Sequence, residues 1–261
     1  IPLARGKSRC DSIENIIKSA EDIASKGIQE IVITGVNIGE FKDKHNSKGF
    51  GSLMKELETV RGINRYRISS IEPNLITDEV IDLVKKSDKF MPHFHIPLQS
   101  GSDIILGKMK RRYQTKLYSN KLEKIAAEVK DVCIGADVIV GFPGETDEEF
   151  DKTIHFIKEL PISYLHVFSY SERENTLAIE LENKVAEKTK AERNKQLRIL
   201  SEKLQRSFYQ KYLYTEHTAL FEQENHEGML YGFTDNYIKV KVPFNEKICR
   251  TKQQIKLLEI D

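Results

Sequence analysis

One stretch constrains the fold of this chain more than any other. Residues 133–141 form an almost continuous run of β-branched and small apolar residues, which predicts a strand covered on both faces in a parallel sheet. Pro143-Gly144 fits the two central positions of a type II turn, because the second position requires positive φ. Thr146, with Glu149 three residues later, predicts a capping box at a helix start. In α/β folds ligands gather at the carboxyl ends of strands, so this turn is a candidate ligand site.

Four acidic residues crowd the start of that helix: Glu145, Asp147, Glu148 and Glu149. A phosphate would otherwise be attracted there by the free N–H groups and the helix dipole. A nucleoside triphosphate is therefore a poor candidate, and a positively charged or zwitterionic ligand fits better. The alternative is an ordinary capped helix of an α/β core that binds nothing.

Further apolar runs alternate with helical patterns along the chain. They predict strands at 28–36, 66–71, 94–98 and 164–170. This alternation predicts parallel β/α units joined by right-handed crossovers. The expected fold class is α/β, a partial (β/α)6 barrel whose first strand would lie upstream of Ile1.

The periodicity changes in the carboxyl-terminal part. A long polar helix is predicted over 186–212, followed by strands at 219–221, 229–233, 237–242 and 255–260. Asp235-Asn236 fits a hairpin turn between two of these strands. We therefore expect two domains, 1–206 with the α/β core and linker helix, and 207–261 as a small all-β barrel.

Composition narrows the class of protein. The 261 residues are 39% apolar and carry a net charge of +1, so no global field indicates nucleic-acid or membrane binding. No apolar run approaches ~18 residues and no signal peptide opens the chain, so we expect a cytoplasmic protein without membrane contact. Cys10, Cys133 and Cys249 form no C-x-x-C pair, and predict neither a disulfide framework nor a metal site.

Polar side chains lie in or just beyond several predicted strands, where packing alone does not require them. Such residues would line the inside and mouth of one barrel. Taken singly, each is more often a satisfied core residue, but a set from five strands favours a site. The set is Asn37, Ser69, Ser70, Glu72, His93, His95, Gln99, Ser100, Asp137, Tyr170, Ser171, Glu172 and Arg173.

The order and spacing of several motifs resemble one family, the radical S-adenosylmethionine methylthiotransferases. The matching segments are Ile1-Pro2-Leu3-Ala4-Arg5-Gly6-Lys7-Ser8-Arg9, Thr34-Gly35-Val36-Asn37-Ile38-Gly39, His95-Ile96-Pro97-Leu98-Gln99-Ser100-Gly101-Ser102, Met109-Lys110-Arg111-Arg112-Tyr113, residues 137–146 and Tyr170-Ser171-Glu172-Arg173. Residues 91–95 and 160–168 most resemble the members that act on N6-threonylcarbamoyladenosine beside the tRNA anticodon.

The resemblance implies a chemistry. Family members bind S-adenosylmethionine on a 4Fe-4S cluster held by a C-x-x-x-C-x-x-C loop, form a 5′-deoxyadenosyl radical, and add a methylthio group at an unactivated C–H position, here C2 of the adenosine. A second 4Fe-4S cluster lies on a separate amino-terminal domain. The cysteine loop would precede Ile1, so we expect no cluster bound by this chain, no turnover by it alone, a partly open cofactor site, and disorder near residues 1–7.

The resemblance also assigns roles to residues. Gly35 and Asn37 would lie near the methionine part of the cofactor, Ser70, Glu72 and Gln99 near its ribose or amino-acid groups, with Ser100 and Asp137 in the same cofactor site. Val140, Gly141 and Phe142 would flank the adenine. Substrate or phosphate contacts are expected from Arg5, Arg9, Arg111, Arg112 and Arg173.

The final β segment resembles a TRAM domain, a small RNA-binding barrel. Tyr237, Lys239 and Lys241 alternate, which predicts three RNA-suited groups on one face of a strand. A solvated strand face is the alternative. The implied partners are the tRNA anticodon stem-loop and a reductant such as flavodoxin, with the protein a monomer.

Other functions stay open at this point. The same chemistry could act on N6-isopentenyladenosine in tRNA or on a ribosomal-protein aspartate. A non-catalytic RNA-binding module is a different class of function that also fits. A generic α/β enzyme with an organic cofactor is disfavoured, because no glycine-rich dinucleotide fingerprint is present.

Overall fold

The computed structural model describes residues 9–260, which divide into two compact units between Met91 and Pro92. The expectations for Arg5 and for residues 1–7 lie outside the described residues. None of the helices within 9–260 combines the length and hydropathy that a membrane span requires.

The first unit contains two β/α repeats. Its elements are α1 (Ile13–Ser25), β1 (Glu30–Ile33), α2 (Phe50–Thr59), β2 (Arg65–Ile68) and α3 (Asp78–Lys86). The strands pair in parallel, with Glu30 opposite Arg65. Ser12 and Thr77 cap α1 and α3, since each side chain accepts a backbone N–H from the first turn of its helix.

The second unit carries a three-stranded parallel sheet in the order β3-β4-β5. Its α/β elements are β3 (His93–His95), α4 (Asp103–Lys108), α5 (Thr115–Glu128), β4 (Cys133–Val140), α6 (Asp147–Glu159), β5 (Tyr164–Ser169) and α7 (Glu187–Gln210). The strand predicted over 94–98 is shorter than expected, but its continuation still bonds to β4, with Leu98 N–H 3.1 Å from the Asp137 carbonyl.

The two faces of this sheet differ in chemistry, because side chains alternate along a strand. One face is apolar and fully buried, with Phe94, Ile134, Ala136 and Val138 each 0% exposed. The other face, which we call the polar face, carries His93 and His95 of β3, Asp137 of β4, and Tyr164 and His166 of β5. The parallel register places Asp137 opposite His166. Of the polar residues predicted for this part of the chain, His93, His95 and Asp137 therefore share one surface.

The carboxyl-terminal segment is a curled antiparallel sheet rather than a closed barrel. Its strands are β6 (Glu216–His226), β7 (Met229–Thr234), β8 (Lys239–Pro243) and β9 (Lys252–Lys256), in the order β8-β7-β6-β9. Among the described residues β8 and β9 remain edge strands, so the predicted barrel is wrong in its closure. The turn at Asp235-Asn236 is confirmed, with Tyr237 N–H bonded to the Thr234 carbonyl at 3.1 Å.

This sheet packs onto the polar-face side of the second unit. A cluster of Cys133, Tyr164, Phe208 and Ile238 is buried between β4, β5, α7 and the β7–β8 turn. The boundary predicted between residues 206 and 207 falls within α7.

Candidate active site

The turn after β4 has the geometry that the sequence predicts. Glu145 N–H bonds to the Phe142 carbonyl at 2.9 Å, and Gly144 adopts a φ of +83°, as a type II turn requires. Gly141 has a φ of +74°, and the stem of Lys190 occupies the place of a Cβ there. Backbone conformation therefore favours glycine at both positions, and packing against α7 excludes a side chain at Gly141.

Thr146 caps α6, but the predicted capping box is wrong in its second half. Thr146 Oγ1 accepts the Glu149 N–H at 3.3 Å. The Glu149 carboxylate does not return to the backbone of Thr146; it accepts hydrogen bonds from the Ser102 hydroxyl and from Lys152 Nζ, the latter at 2.9 Å. Because Ser102 caps α4, Glu149 ties the starts of two helices together.

The acidic turn is compensated by a buried arginine of α7. Arg193 bonds to the Glu145 carboxylate at 2.7 Å and to Asp147 at 2.6 Å, and the Arg193 and Glu145 side chains are 5% and 2% exposed. Burial raises the pKa of Glu145, against the opposing effects of the Gly141 N–H and Arg193. Glu145 and Asp147 are therefore paired within the protein, and the preference for a positively charged or zwitterionic ligand stays a prediction.

Gln99, just beyond β3, has two properties of a ligand-binding residue. Its φ is +68°, a conformation that costs a non-glycine residue of order 1 kcal/mol or more. Its side chain is buried, and Oε1 has no hydrogen-bond partner among residues 9–260. The neighbouring Ser100 differs, since its hydroxyl lies 3.3 Å from Thr153 Oγ1 and accepts the Ser102 N–H at 3.2 Å. Gln99 thus offers a free acceptor, whereas the hydroxyl of Ser100 is engaged with the protein.

Asp137 lies between two histidines of the polar face. Its Oδ1 is 2.8 Å from His95 Nε2 and 3.5 Å from His166 Nδ1. Burial by itself would raise the pKa of Asp137, but hydrogen bonds from His166 and His95 outweigh it and hold the pKa well below its usual range. Asp137 is therefore an ionised carboxylate at neutral pH.

Tyr164 links the histidines of β3. Its hydroxyl lies 2.9 Å from His93 Nε2 and 3.4 Å from His95 Nδ1. Gly135 makes this possible, because a Cβ there would collide with the Tyr164 ring. The ring of Tyr237 lies 4.1 Å from that of His93, so the polar face is closed at this end by the carboxyl-terminal segment.

Val140 and Phe142 are buried, and the Phe142 ring makes an edge contact with Tyr170 at 5.1 Å. The Tyr170 hydroxyl is buried without a partner among the described residues. Together with Gly141, these residues form an apolar shelf at the carboxyl end of β4 with one unpaired hydroxyl beside it.

The candidates of the first unit lie at the carboxyl ends of β1 and β2. Asn37 Oδ1 is buried and lacks a partner within the described part of the chain, as Gln99 Oε1 does. Gly35 is exposed, and its neighbour Ile38 occupies the space of a Cβ. Ser70 and Glu72 are half-buried.

The predicted basic contacts lie at the surface. Arg9, Arg112 and Arg173 are exposed and Arg111 is half-buried. Lys239 and Lys241 are exposed on one face of β8.

Tyr237 is not a residue of β8, although its ring lies on the side of the sheet that carries Lys239, because Phe233 pairs with Lys239. It precedes β8 with a φ of +66°, and its ring stacks on Phe233 at 4.8 Å. Tyr231 takes the place predicted for it, with Lys239 Nζ 4.7 Å from the ring centroid.

The sequence analysis did not identify the residues of α7 that support the β4 turn. Lys190 and Arg193 belong to the long polar helix predicted over 186–212 and were given no role in the site, although both are buried beneath the β4 turn. The only signal was their spacing of three residues on one helix face, opposite an acidic turn distant in sequence. His166 and Tyr164 read as ordinary strand residues until the register placed them beside Asp137 and His95.

Parallel β/α units with a glycine turn and unpaired acceptors at the strand ends define an α/β enzyme scaffold. The chain belongs to the Radical SAM superfamily, which residues 2–157 match. The fold agrees: coproporphyrinogen III oxidase HemN from Escherichia coli superposes with a TM-score of 0.57 at 15% identity, over 74% of this chain and 46% of that one.

Among relatives, the threonylcarbamoyladenosine tRNA methylthiotransferase MtaB of Bacillus subtilis is 40% identical over 99% of this chain. The tRNA-2-methylthio-N(6)-dimethylallyladenosine synthase of Clostridium tetani is 37% identical over 76% of this chain. The chain spans 58% and 44% of the length of these two relatives. The expected family is thus confirmed.

Proposed function

We propose that this chain functions in a radical methylthiotransferase that adds a methylthio group to C2 of N6-threonylcarbamoyladenosine next to the tRNA anticodon. One observation carries the choice of substrate. Four relatives named for threonylcarbamoyladenosine align over 92% to 99% of the chain, whereas four named for dimethylallyladenosine align over 74% to 80%. The similarity to the threonylcarbamoyladenosine enzymes therefore extends further along the chain than the similarity to the dimethylallyladenosine enzymes.

The residues present fit S-adenosylmethionine. Its ammonium and ribose hydroxyls require acceptors, and Gln99 Oε1 is a buried acceptor without a partner among residues 9–260. Asn37 offers the same kind of acceptor in the first unit. In the second unit the shelf of Val140, Gly141 and Phe142 would contact the adenine. When bound, with a thiolate-held iron–sulfur cluster, the cofactor supplies a carbon-centred radical.

The protein's own contribution at this site is a rigid support. The Glu145–Arg193 pair and the Lys190 stem fix the β4 turn from α7, so the shelf is organised before any ligand arrives. The Tyr170 hydroxyl, which is buried without a partner among residues 9–260, would donate a hydrogen bond to the ligand. Gly35, Ser70, Glu72 and Ser100 remain assigned to the same cofactor by the resemblance, whereas the Asp137 carboxylate is engaged by His95 and His166.

The RNA would be held by the carboxyl-terminal sheet and by surface arginines. Lys239 and Lys241 face outward beside the half-buried Tyr231, a combination that suits phosphate contact and base stacking. Lys252 is exposed on the opposite edge strand, and the register places it on the same face as Lys239. Arg5, Arg9, Arg111, Arg112 and Arg173 would add backbone contacts, and the sheet would act as a TRAM domain.

Binding of matched anticodon stem-loops tests the substrate. The loops would differ only in the adenosine, which is unmodified, threonylcarbamoylated or isopentenylated. We expect the chain to bind the threonylcarbamoyl loop most tightly. A preference for the isopentenyl loop would move the substrate to that of the Clostridium relative, and equal weak binding of all three would contradict the assignment.

A variant pair gives the control for this measurement. K239Q/K241Q should weaken binding of every loop, whereas K188Q, at an exposed lysine of α7, should leave it unchanged. If K188Q weakened binding as much as the double variant, the sheet would not be the RNA surface.

A further inference from the structure

We propose that His95, Asp137 and His166 form a binding site for a divalent transition-metal ion, separate from any iron–sulfur cluster. Each residue comes from a different strand of the second unit, and one ligand atom from each lies within 4.8 Å of the other two. Two imidazoles and one carboxylate form a donor set that suits Zn²⁺, Fe²⁺ or Co²⁺.

Two of the three separations between ligand atoms are close to those of a coordination sphere, and the third, between His95 and His166, lies within 4.8 Å. Two ligand atoms bound to one tetrahedral ion at ~2.0–2.2 Å are roughly 3.3–3.5 Å apart. The observed separations from Asp137 Oδ1, 2.8 Å to His95 Nε2 and 3.5 Å to His166 Nδ1, bracket that value. An ion could therefore enter by small side-chain rotations, without moving a strand.

A neighbouring side chain orients one of the proposed ligands. Tyr164 Oη lies 3.4 Å from His95 Nδ1, on the side of the ring away from Asp137, so Nε2 is turned toward the site. A hydrogen bond to the non-ligating nitrogen is the usual support for a metal-bound histidine.

His166 is the most exposed of the three residues. Its 3.5 Å separation from Asp137 is at the limit of a hydrogen bond, and its side chain is 56% exposed. The side chains of His95 and Asp137 are 11% and 21% exposed. Because His166 is exposed while His95 and Asp137 are sheltered, an ion can reach the site from the His166 side. Water or a substrate atom could then serve as a further ligand.

The site differs in chemistry from the clusters of the family. Iron–sulfur clusters are held by thiolates, and no thiol belongs to this set of three residues. The proposal does not depend on methylthio transfer, and its test needs no turnover.

Cobalt titration of the tag-free, metal-stripped chain is the experiment. We expect one equivalent of Co²⁺ to bind, with visible d–d bands of a four- or five-coordinate ion and no thiolate charge-transfer band. H166Q should weaken binding by at least ~10-fold, and Asp137→Asn similarly. Because His166 is largely exposed, H166Q should fold normally, which circular dichroism would verify.

Two control variants test whether the ion sits elsewhere. His155 is an exposed histidine of α6 whose Nδ1 bonds to the Asp151 carbonyl, so H155Q should bind cobalt as the parent chain does. C249S should also leave the titration unchanged. The proposal is overturned if no cobalt binds, if H166Q binds it normally, or if a thiolate band shows that a cysteine is the ligand.

Discussion

Replacing Arg193 by methionine should open the β4 turn. The guanidinium makes three hydrogen bonds, to the Glu145 carboxylate at 2.7 Å, to the Glu145 carbonyl at 3.0 Å and to Asp147 at 2.6 Å. It also lies over the Phe150 ring, 5.2 Å from the centroid. Methionine retains part of the apolar packing but leaves Glu145 as a buried carboxylate without its cation.

The structure sets the size of the effect. Removing one partner of a buried ion pair costs about 3–5 kcal/mol, because the remaining charge is desolvated and uncompensated. The exposed contact with Asp147, whose side chain is 93% exposed, adds little. At about 1.4 kcal/mol for each factor of ten, the turn should open at least ~100-fold more often in R193M.

The loss of stability in R193M should depend on pH in a defined direction. Burial raises the pKa of Glu145 already in the parent chain, and loss of Arg193 raises it further. A carboxyl group with a raised folded pKa stabilises the fold below its unfolded pKa, and this contribution is lost as pH rises through the folded pKa. R193M should therefore be most destabilised at neutral and alkaline pH and partly recover on acidification.

Hydrogen exchange of a peptide covering the β4 turn and the start of α6 measures this opening directly. R198M is the matched control, since Arg198 is exposed on the same helix. The reasoning is refuted if R193M exchanges no faster than R198M, or if its faster exchange does not change with pH after correction for the intrinsic rate.

Two further predictions concern packing and RNA. G141A should cost more than G27A in free energy of unfolding, because both glycines have φ near +75° but only Gly141 has the Lys190 stem against it; equal costs would show that backbone conformation alone matters. K239Q and K241Q should each reduce the slope of log affinity against log salt for the stem-loop by roughly one, and an unchanged slope would remove these lysines from the RNA surface.

Local signals sufficed for the elements and the turn. Pro143-Gly144 and the run before it predicted a strand, a turn and a helix start that the structure confirms, because each depends on neighbours in sequence. The caps Ser12 and Thr77 likewise bond to residues only three positions away.

Long-range partners could not be predicted in the same way. Glu149 fits a capping box by spacing, but Ser102 competes for its carboxylate across 47 residues of chain. The ion pair between Glu145 and Arg193 could not be predicted either, because the two residues are 48 positions apart in sequence. Closure of the carboxyl-terminal barrel likewise depends on strand pairing that periodicity does not encode, and Tyr237 leaves its predicted strand because its ring packs on His93.

The most direct test is turnover by the natural gene product that carries this sequence. It would be prepared anaerobically with reconstituted clusters and incubated with S-adenosylmethionine, reductant and tRNA that lacks the methylthio group. Mass spectrometry of the nucleosides should show a methylthio increment on N6-threonylcarbamoyladenosine. Formation of 5′-deoxyadenosine without a methylthio product on any tRNA adenosine would contradict the account.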